Sequence, residues 1–165
     1  MVKTFGPCLF IGFKGERDMY KMTLDDCLCY LTGKVFRQML SCYNPYIREK
    51  GLTVSQLFVL LALYERDGMT PQELSSKLAL NSSTLTGILD RLEQKGLVKR
   101  EMNATDRRSI VIKLTDSAKK IKDELWQIYE TVNGYLMSCL SQEELNRLHE
   151  IMGKLEKRAH EMHVK

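Results

Sequence analysis

No apolar run in this chain approaches the roughly 20 residues that a membrane-spanning helix requires, so an integral membrane protein is not expected. The patch Cys8-Leu9-Phe10-Ile11-Gly12-Phe13 is short for a secretory signal core and lacks a small-x-small cleavage site, which points to a cytoplasmic protein. Equally missing are a phosphate-cradling glycine loop, a nucleophile elbow and a zinc-protease helix motif, so an enzymatic reading has no residues to rest on and no cofactor is expected. There are three histidines. His160 and His163 share a helix face but sit near the end of the chain, and His149 lies well before them, a pattern that fits a solvated tail better than a metal site. Charge of one sign is also scarce in excess, with a formal net charge of only +4 in 165 residues. A tail that coats nucleic acid indiscriminately is thereby excluded, and any binding charge must be local. Five cysteines without a secretory signal are expected to be reduced thiols, not a disulfide framework.

What the sequence does contain is concentrated in residues 70–115. Thr70-Pro71-Gln72-Glu73 is a capping box with proline at the first helical position, and Leu74 and Leu78 then point inward. Ala79-Leu80-Asn81 offers a tight connection in which Asn81 or Ser82 caps a second helix running to about Lys95. On that helix Leu85, Ile88, Leu89 and Leu92 recur at i, i+3, i+4 and i+7, leaving Ser83, Thr84, Thr86, Gly87, Asp90 and Arg91 outside. Short hydroxyl side chains at its N-terminal end allow close approach to base edges and phosphates, which the positive end of the helix dipole also favours. Gly96 suits a left-handed helix stop. Val98 to Met102 and Ser109 to Leu114 read as two short strands, with Asn103-Ala104-Thr105-Asp106 as their turn. Arg107 and Arg108 then lie at or just after the tip of a wing, from which a guanidinium can enter a narrow minor groove. The competing use is a solvated charged hairpin. The expected fold class is mainly α with a small β wing: a winged helix-turn-helix plus a helical dimerisation region.

The run Asp106-Arg107-Arg108-Ser109 through Leu114-Thr115 resembles the wing signature of MarR (multiple-antibiotic-resistance regulator) proteins. Ser83-Thr84-Leu85-Thr86 and Leu92-Glu93-Gln94-Lys95-Gly96-Leu97-Val98 resemble the same family's recognition helix and its exit. The resemblance extends from about Leu24 to the C-terminus. It implies an obligate homodimer on a pseudo-palindromic double-stranded operator, acting as a repressor that a small molecule or an oxidation releases. By this resemblance Arg108 is the minor-groove arginine and Asp106 orients neighbouring basic groups. The expected DNA-binding set is Ser82, Ser83, Thr84, Thr86, Arg91, Asp106, Arg107 and Arg108. A winged-helix module that contacts protein and binds no DNA specifically is the rival from a different class.

Around this unit the chain divides into an N-terminal extension (1–22), an N-terminal dimerisation helix (23–53), the winged helix-turn-helix lobe (54–115) and C-terminal dimerisation helices (116–165). The extension has no clear period, and Met19 and Met22 are both available as starts. Leu24, Leu28, Leu31, Val35, Met39, Cys42 and Tyr46 trace one amphipathic helix, which ends near Gly51 after an irregularity at Pro45. Another begins at Thr115 and passes through Ile121, Leu125, Ile128, Val132 and Leu136. In the last, a Ser141-x-x-Glu144 capping box precedes Leu145, Leu148, Met152, Leu155, Ala159 and Met162, spaced as a coiled-coil seam. One winged unit cannot bury three such stripes, so packing between subunits is expected, with packing inside one chain as the competing use. Leu57, Leu60, Leu61 and Tyr64 form a further helix that supports the lobe.

Leu28-Cys29-Tyr30 resembles the site of the reactive cysteine in organic-hydroperoxide regulators of the MarR family, and Tyr43 falls where that subgroup has a tyrosine. The two residues are fourteen apart, about 21 Å on a straight helix, so contact would need the partner subunit. The subgroup's second tyrosine position holds Val54 here. Three uses of Cys29 stay open: a redox sensor, core packing, and the lining of an effector cavity. Phe36, Tyr43, Tyr46 and Phe58 are candidates to line a pocket for a small aromatic ligand or an organic hydroperoxide, with ordinary core packing as the alternative.

Overall fold

The computed structural model describes residues 23–103 and 108–163. The extension over 1–22 with its apolar patch, and the wing-turn candidates Asp106 and Arg107, lie outside these described residues. The elements follow the order α1 (Leu28–Glu49), α2 (Val54–Glu65), α3 (Pro71–Leu78), α4 (Ser82–Gln94), β1 (Val98–Met102), β2 (Ile110–Leu114), α5 (Asp116–Lys120), α6 (Lys122–Met137) and α7 (Gln142–His163). The chain divides into two units, Met1–Arg37 and Gln38–Lys165, and the division falls inside α1.

In the first unit the Asp26 carboxylate accepts a hydrogen bond from the Thr23 backbone N–H at 3.1 Å, closing a short 3-10 turn over Leu24–Asp26. Leu24, expected at the start of the long helix, therefore sits in a separate turn. From Leu28 to Arg37 the apolar positions Leu28, Leu31, Val35 and Phe36 are exposed.

The second unit is built around α2. Thr53 and Gln56 cap it reciprocally: the Gln56 N–H donates to Thr53 Oγ1 at 3.3 Å, and the Thr53 N–H donates to Gln56 Oε1 at 3.0 Å. Leu57, Val59, Leu60 and Leu63 are fully buried on different sides of the helix, so α2 needs cover all round. The later part of α1 supplies some of that cover through Tyr43 and Ile47. Pro45 lies between them and cannot donate to the carbonyl of Ser41, yet the helix runs on to Glu49. As expected, the helix continues past Pro45 almost to Gly51, and the burial of Tyr43 and Ile47 on either side holds it.

The expected helix pair is present at residues 70–94. Thr70 and Glu73 form the capping box, with the Thr70 N–H donating to Glu73 Oε2 at 2.8 Å. Asn81 caps α4, accepting from the Thr84 N–H at 2.8 Å. Between them Ala79 holds a left-handed φ of 49°, a conformation that an alanine adopts at some cost and that sequence reading assigned to no residue there. Gly96 ends α4 with φ 67°, and the Leu97 N–H reaches back to the Leu92 carbonyl at 2.9 Å. β1 and β2 pair antiparallel in the register Val98 with Leu114, Arg100 with Ile112 and Met102 with Ile110. Met69 bridges to Ile112 on the far side of β2, so β2 has neighbours on both edges.

The helix expected to begin at Thr115 is broken at Ile121 into α5 and α6. Thr115 holds the first piece by accepting from the Ala118 N–H at 3.3 Å while its own hydroxyl donates to the Gly96 carbonyl at 2.6 Å. Beyond the break Leu125 and Val132 are buried, with Ile121, Ile128 and Leu136 packed against the same core. For this stripe the use is packing within the chain. In α7, by contrast, no side chain from 142 to 161 is buried. Leu148, Ile151 and Met152 are exposed large apolar groups there.

One polar contact joins α2 to the α5–α6 break: the Tyr64 hydroxyl donates to the Ala118 carbonyl at 2.6 Å, and the Lys122 ammonium lies 5.8 Å above the Tyr64 ring. Burial pushes the Tyr64 phenol up from 10.0 to about 12. The folded form thus favours the protonated phenol, a contribution fully present below pH 10 and lost as pH rises towards about 12. Tyr64→Phe should lower stability at neutral pH by about 1 kcal/mol. In denaturant titrations it should also remove part of the stability loss of the wild type between pH 10 and 12.

Candidate nucleic-acid interface

The N-terminal turn of α4 presents small polar groups on a firmly seated helix. Leu85, Ile88, Leu89 and Leu92 are buried, and Ser82, Ser83, Thr84, Thr86 and Arg91 are all exposed. Two of the hydroxyls are already engaged. Ser83 Oγ donates to Asn81 Oδ1 at 2.8 Å, and Thr86 Oγ1 donates to the Ser82 carbonyl at 2.8 Å. Each keeps lone pairs as acceptors, and Ser83 must give up its cap bond to donate to a phosphate. Arg91 follows Thr84 by two turns on the same side of the helix, about 10 Å further along.

The hairpin closes with the Asn103 N–H donating to the Ser109 carbonyl at 2.9 Å. Arg108, just after the turn, is exposed. What sequence reading missed is how this hairpin is tied to α4. The Arg100 guanidinium donates to Asp90 Oδ1 at 2.6 Å and also to Glu93 Oε2, while the Arg100 backbone N–H donates to Glu93 Oε1 at 3.2 Å. A strand residue therefore grips two carboxylates one turn apart on the candidate recognition helix. Asp90, expected to face outward, is half-buried in this clamp. The Asp90 hydrogen bond is the leading cause of the raised pKa of Arg100, followed by the opposing cost of burial and then by Glu93. The i, i+3 pair of acids was visible in the sequence, but no periodicity reveals which strand residue answers it.

A second anchor fixes the other end of the wing. Asp67 Oδ1 accepts from the Gly68 N–H and from the Leu114 N–H, both at 2.9 Å. α4, the hairpin and the loop between α2 and α3 are thus joined by polar contacts.

The redox and pocket candidates fall into separate units. Cys29 and Phe36 belong to the first and are exposed. Tyr43, Tyr46 and Phe58 belong to the second. Tyr43 is buried and meets Phe58 edge-on at 5.6 Å between ring centroids, whereas Tyr46 is exposed. Burial raises the Tyr43 phenol pKa, with smaller contributions from Tyr129 and Cys42 nearby. Val54 is the first residue of α2 and is buried. Among the described residues no helix is long and apolar enough to cross a membrane.

Comparison with known proteins is decisive about the family. The MarR family profile matches residues 52–110. The organic hydroperoxide resistance transcriptional regulator of Bacillus subtilis is 34% identical over 133 residues, spanning 81% of this chain and 89% of that one. This chain belongs to the MarR family. The regulator MgrA of Staphylococcus aureus is 32% identical, with 80% and 89% covered. The structure of reduced AbfR bound to DNA superposes with a TM-score of 0.65 at 33% identity, covering 84% of this chain and 94% of that one. The MarR chain is accordingly a DNA-binding transcriptional regulator with a winged-helix fold.

The clamp generates a prediction. Exposed ion pairs are individually weak, but this cation is shared and its side chain only 31% exposed, so Arg100→Ala should cost about 1 kcal/mol of stability. DNA affinity should fall as the wing loosens, while the slope of log affinity against log salt stays unchanged, because Arg100 is spent on carboxylates and not on a phosphate. A slope shallower by about one unit in a salt titration would instead make Arg100 a phosphate ligand.

Proposed function

We propose that the protein is a homodimeric repressor that binds a pseudo-palindromic operator and is released by oxidation of Cys29. The observation that carries the DNA-binding mode is the pairing of an exposed, small-residue N-terminus on α4 with the exposed Arg108 on a hairpin clamped to that same helix. In this reading α4 enters the major groove, where Ser82, Ser83, Thr84 and Thr86 approach bases and phosphates and Arg91 reaches the flanking backbone. Arg108 enters the adjacent minor groove, and the family resemblance adds Asp106 and Arg107 to the DNA-binding set.

Dimerisation through residues 23–53 and 116–165 is supported by apolar groups that each unit leaves exposed. Leu28, Leu31 and Val35 on α1, and Leu148, Ile151 and Met152 on α7, are each at least 41% exposed among the described residues. α6 belongs instead to the core of the lobe.

The switch rests on the exposure of Cys29 and on the B. subtilis relative's name. The Cys29 thiolate attacks the terminal oxygen of an organic hydroperoxide, the O–O bond breaks, the cysteine becomes a sulfenic acid and an alcohol leaves. Tyr43 of the partner subunit, a protonated phenol near neutral pH, stabilises the thiolate by donating a hydrogen bond to it.

Two measurements test these claims. On a duplex selected from a random pool by the wild-type protein, Arg108→Ala should weaken binding at least roughly tenfold and make the salt slope shallower by about one unit. Ser83→Ala should have a smaller effect, and failure of the wild type to enrich any sequence would sink the repressor reading. Cumene hydroperoxide should abolish operator binding by the wild type and spare Cys29→Ser. Equal sensitivity of the two proteins would remove Cys29 from the switch.

A further inference from the structure

Beyond the clamp, the wing carries an apolar pair that stays exposed among the described residues. Met102 and Ile110 lie opposite each other in the outermost register pair, 72% and 48% exposed. Strand alternation places them on the same face as the pairs Arg100–Ile112 and Val98–Leu114. At its inner end that face is packed, since Val98, Ile112 and Leu114 are buried. At its middle Arg100 turns to Asp90 and Glu93 of α4. Moving outward along one face, the order is therefore buried apolar layer, cation held by the recognition helix, exposed apolar pair, and then Arg108 just before Ile110. On the opposite face Lys99 and Glu101 pair with each other at 2.7 Å, beside their strand partners Lys113 and the buried Val111.

We propose that Met102 and Ile110 are a nonionic DNA contact, packing on the deoxyribose walls of the minor groove beside the point where Arg108 enters. The occupant follows from continuity: the pair lies between α4 and Arg108 on a hairpin held rigidly to α4, so a duplex spanning those two must pass over it. Neither side chain can bond a phosphate or read a base edge by hydrogen bonding. The sugar edges that line the groove are carbon-rich, and burying methionine and isoleucine against them releases water in the usual hydrophobic way. The contribution is independent of salt, unlike that of every cationic contact on the protein. This inference rests on the reading that the wing enters the minor groove.

The test uses the full-length protein and the duplex of about 30 base pairs that the wild type selects from a random pool, long enough for two half-sites. Met102→Ser/Ile110→Ser should bind about tenfold more weakly at every salt concentration, with a log–log slope parallel to that of the wild type. Its thermal unfolding midpoint should fall by no more than about 3 °C, since Met102 is 72% and Ile110 48% exposed. Sugars protected from hydroxyl radicals by the wild-type wing should become cleavable in the variant's complex, and Met102→Leu/Ile110→Val should restore both protection and affinity. Unchanged affinity and protection in the serine variant, with Arg108→Ala still weakened, would overturn this contact and leave the groove reading intact. A serine variant that changes the sedimentation mass of the free protein without altering the footprint would assign the pair to a second copy of the chain and overturn the proposal. A wild type that selects no sequence would overturn both readings together.

Discussion

The structure depends on one constraint above others: α2 is apolar on nearly every side and cannot face water anywhere along its middle. Eight of its twelve residues are buried, so the rest of the second unit is arranged as its cover. α3 and α4 close one side, β2 another, and α6 and the end of α1 the remainder. α4, the candidate DNA-reading helix, is thus seated by Leu85, Leu89 and Leu92 on a support that gains stability only when enclosed. A rigid seat matters for recognition, because small hydroxyl side chains reach a base only if the backbone behind them is held in place.

Polar contacts then settle what apolar burial leaves undetermined. The hydrophobic driving force is non-directional, whereas the Arg100 fork on Asp90 and Glu93 sets the wing against α4 in one orientation. Asp67 does the same where the hairpin meets the start of α3, and Tyr64 does it where α2 meets the α5–α6 break. The fixed position of the hairpin beside α4 acquires its physical basis in these few bonds.

Similar apolar stripes have different fates in this chain. α6 and α7 both repeat leucine and isoleucine or methionine at helical spacing, yet the α6 stripe is buried in the lobe while that of α7 stays open. The break at Ile121 is part of the cause, because it frees α6 from the direction of α5 and lets Leu125 and Val132 reach the core. The exposed groups of α1 and α7 are the reason a second subunit is expected to complete the fold.

Local signals were legible from the residues alone. The Thr70–Glu73 box, the Asn81 cap, the Gly96 stop and the wing strands each obey rules that act within a few residues, so spacing sufficed to place them. The buried face of α4 and the polar residues opposite it were equally readable, since both follow from one helical period. Only the tertiary structure decided which strand cation answers Asp90 and Glu93, that Ala79 bears the left-handed turn, and that α6 packs inward. The difference is physical: capping and periodicity are set by neighbours along the chain, whereas ion-pair choice, tolerated strain and the destination of an apolar face depend on what folding brings within a few ångströms.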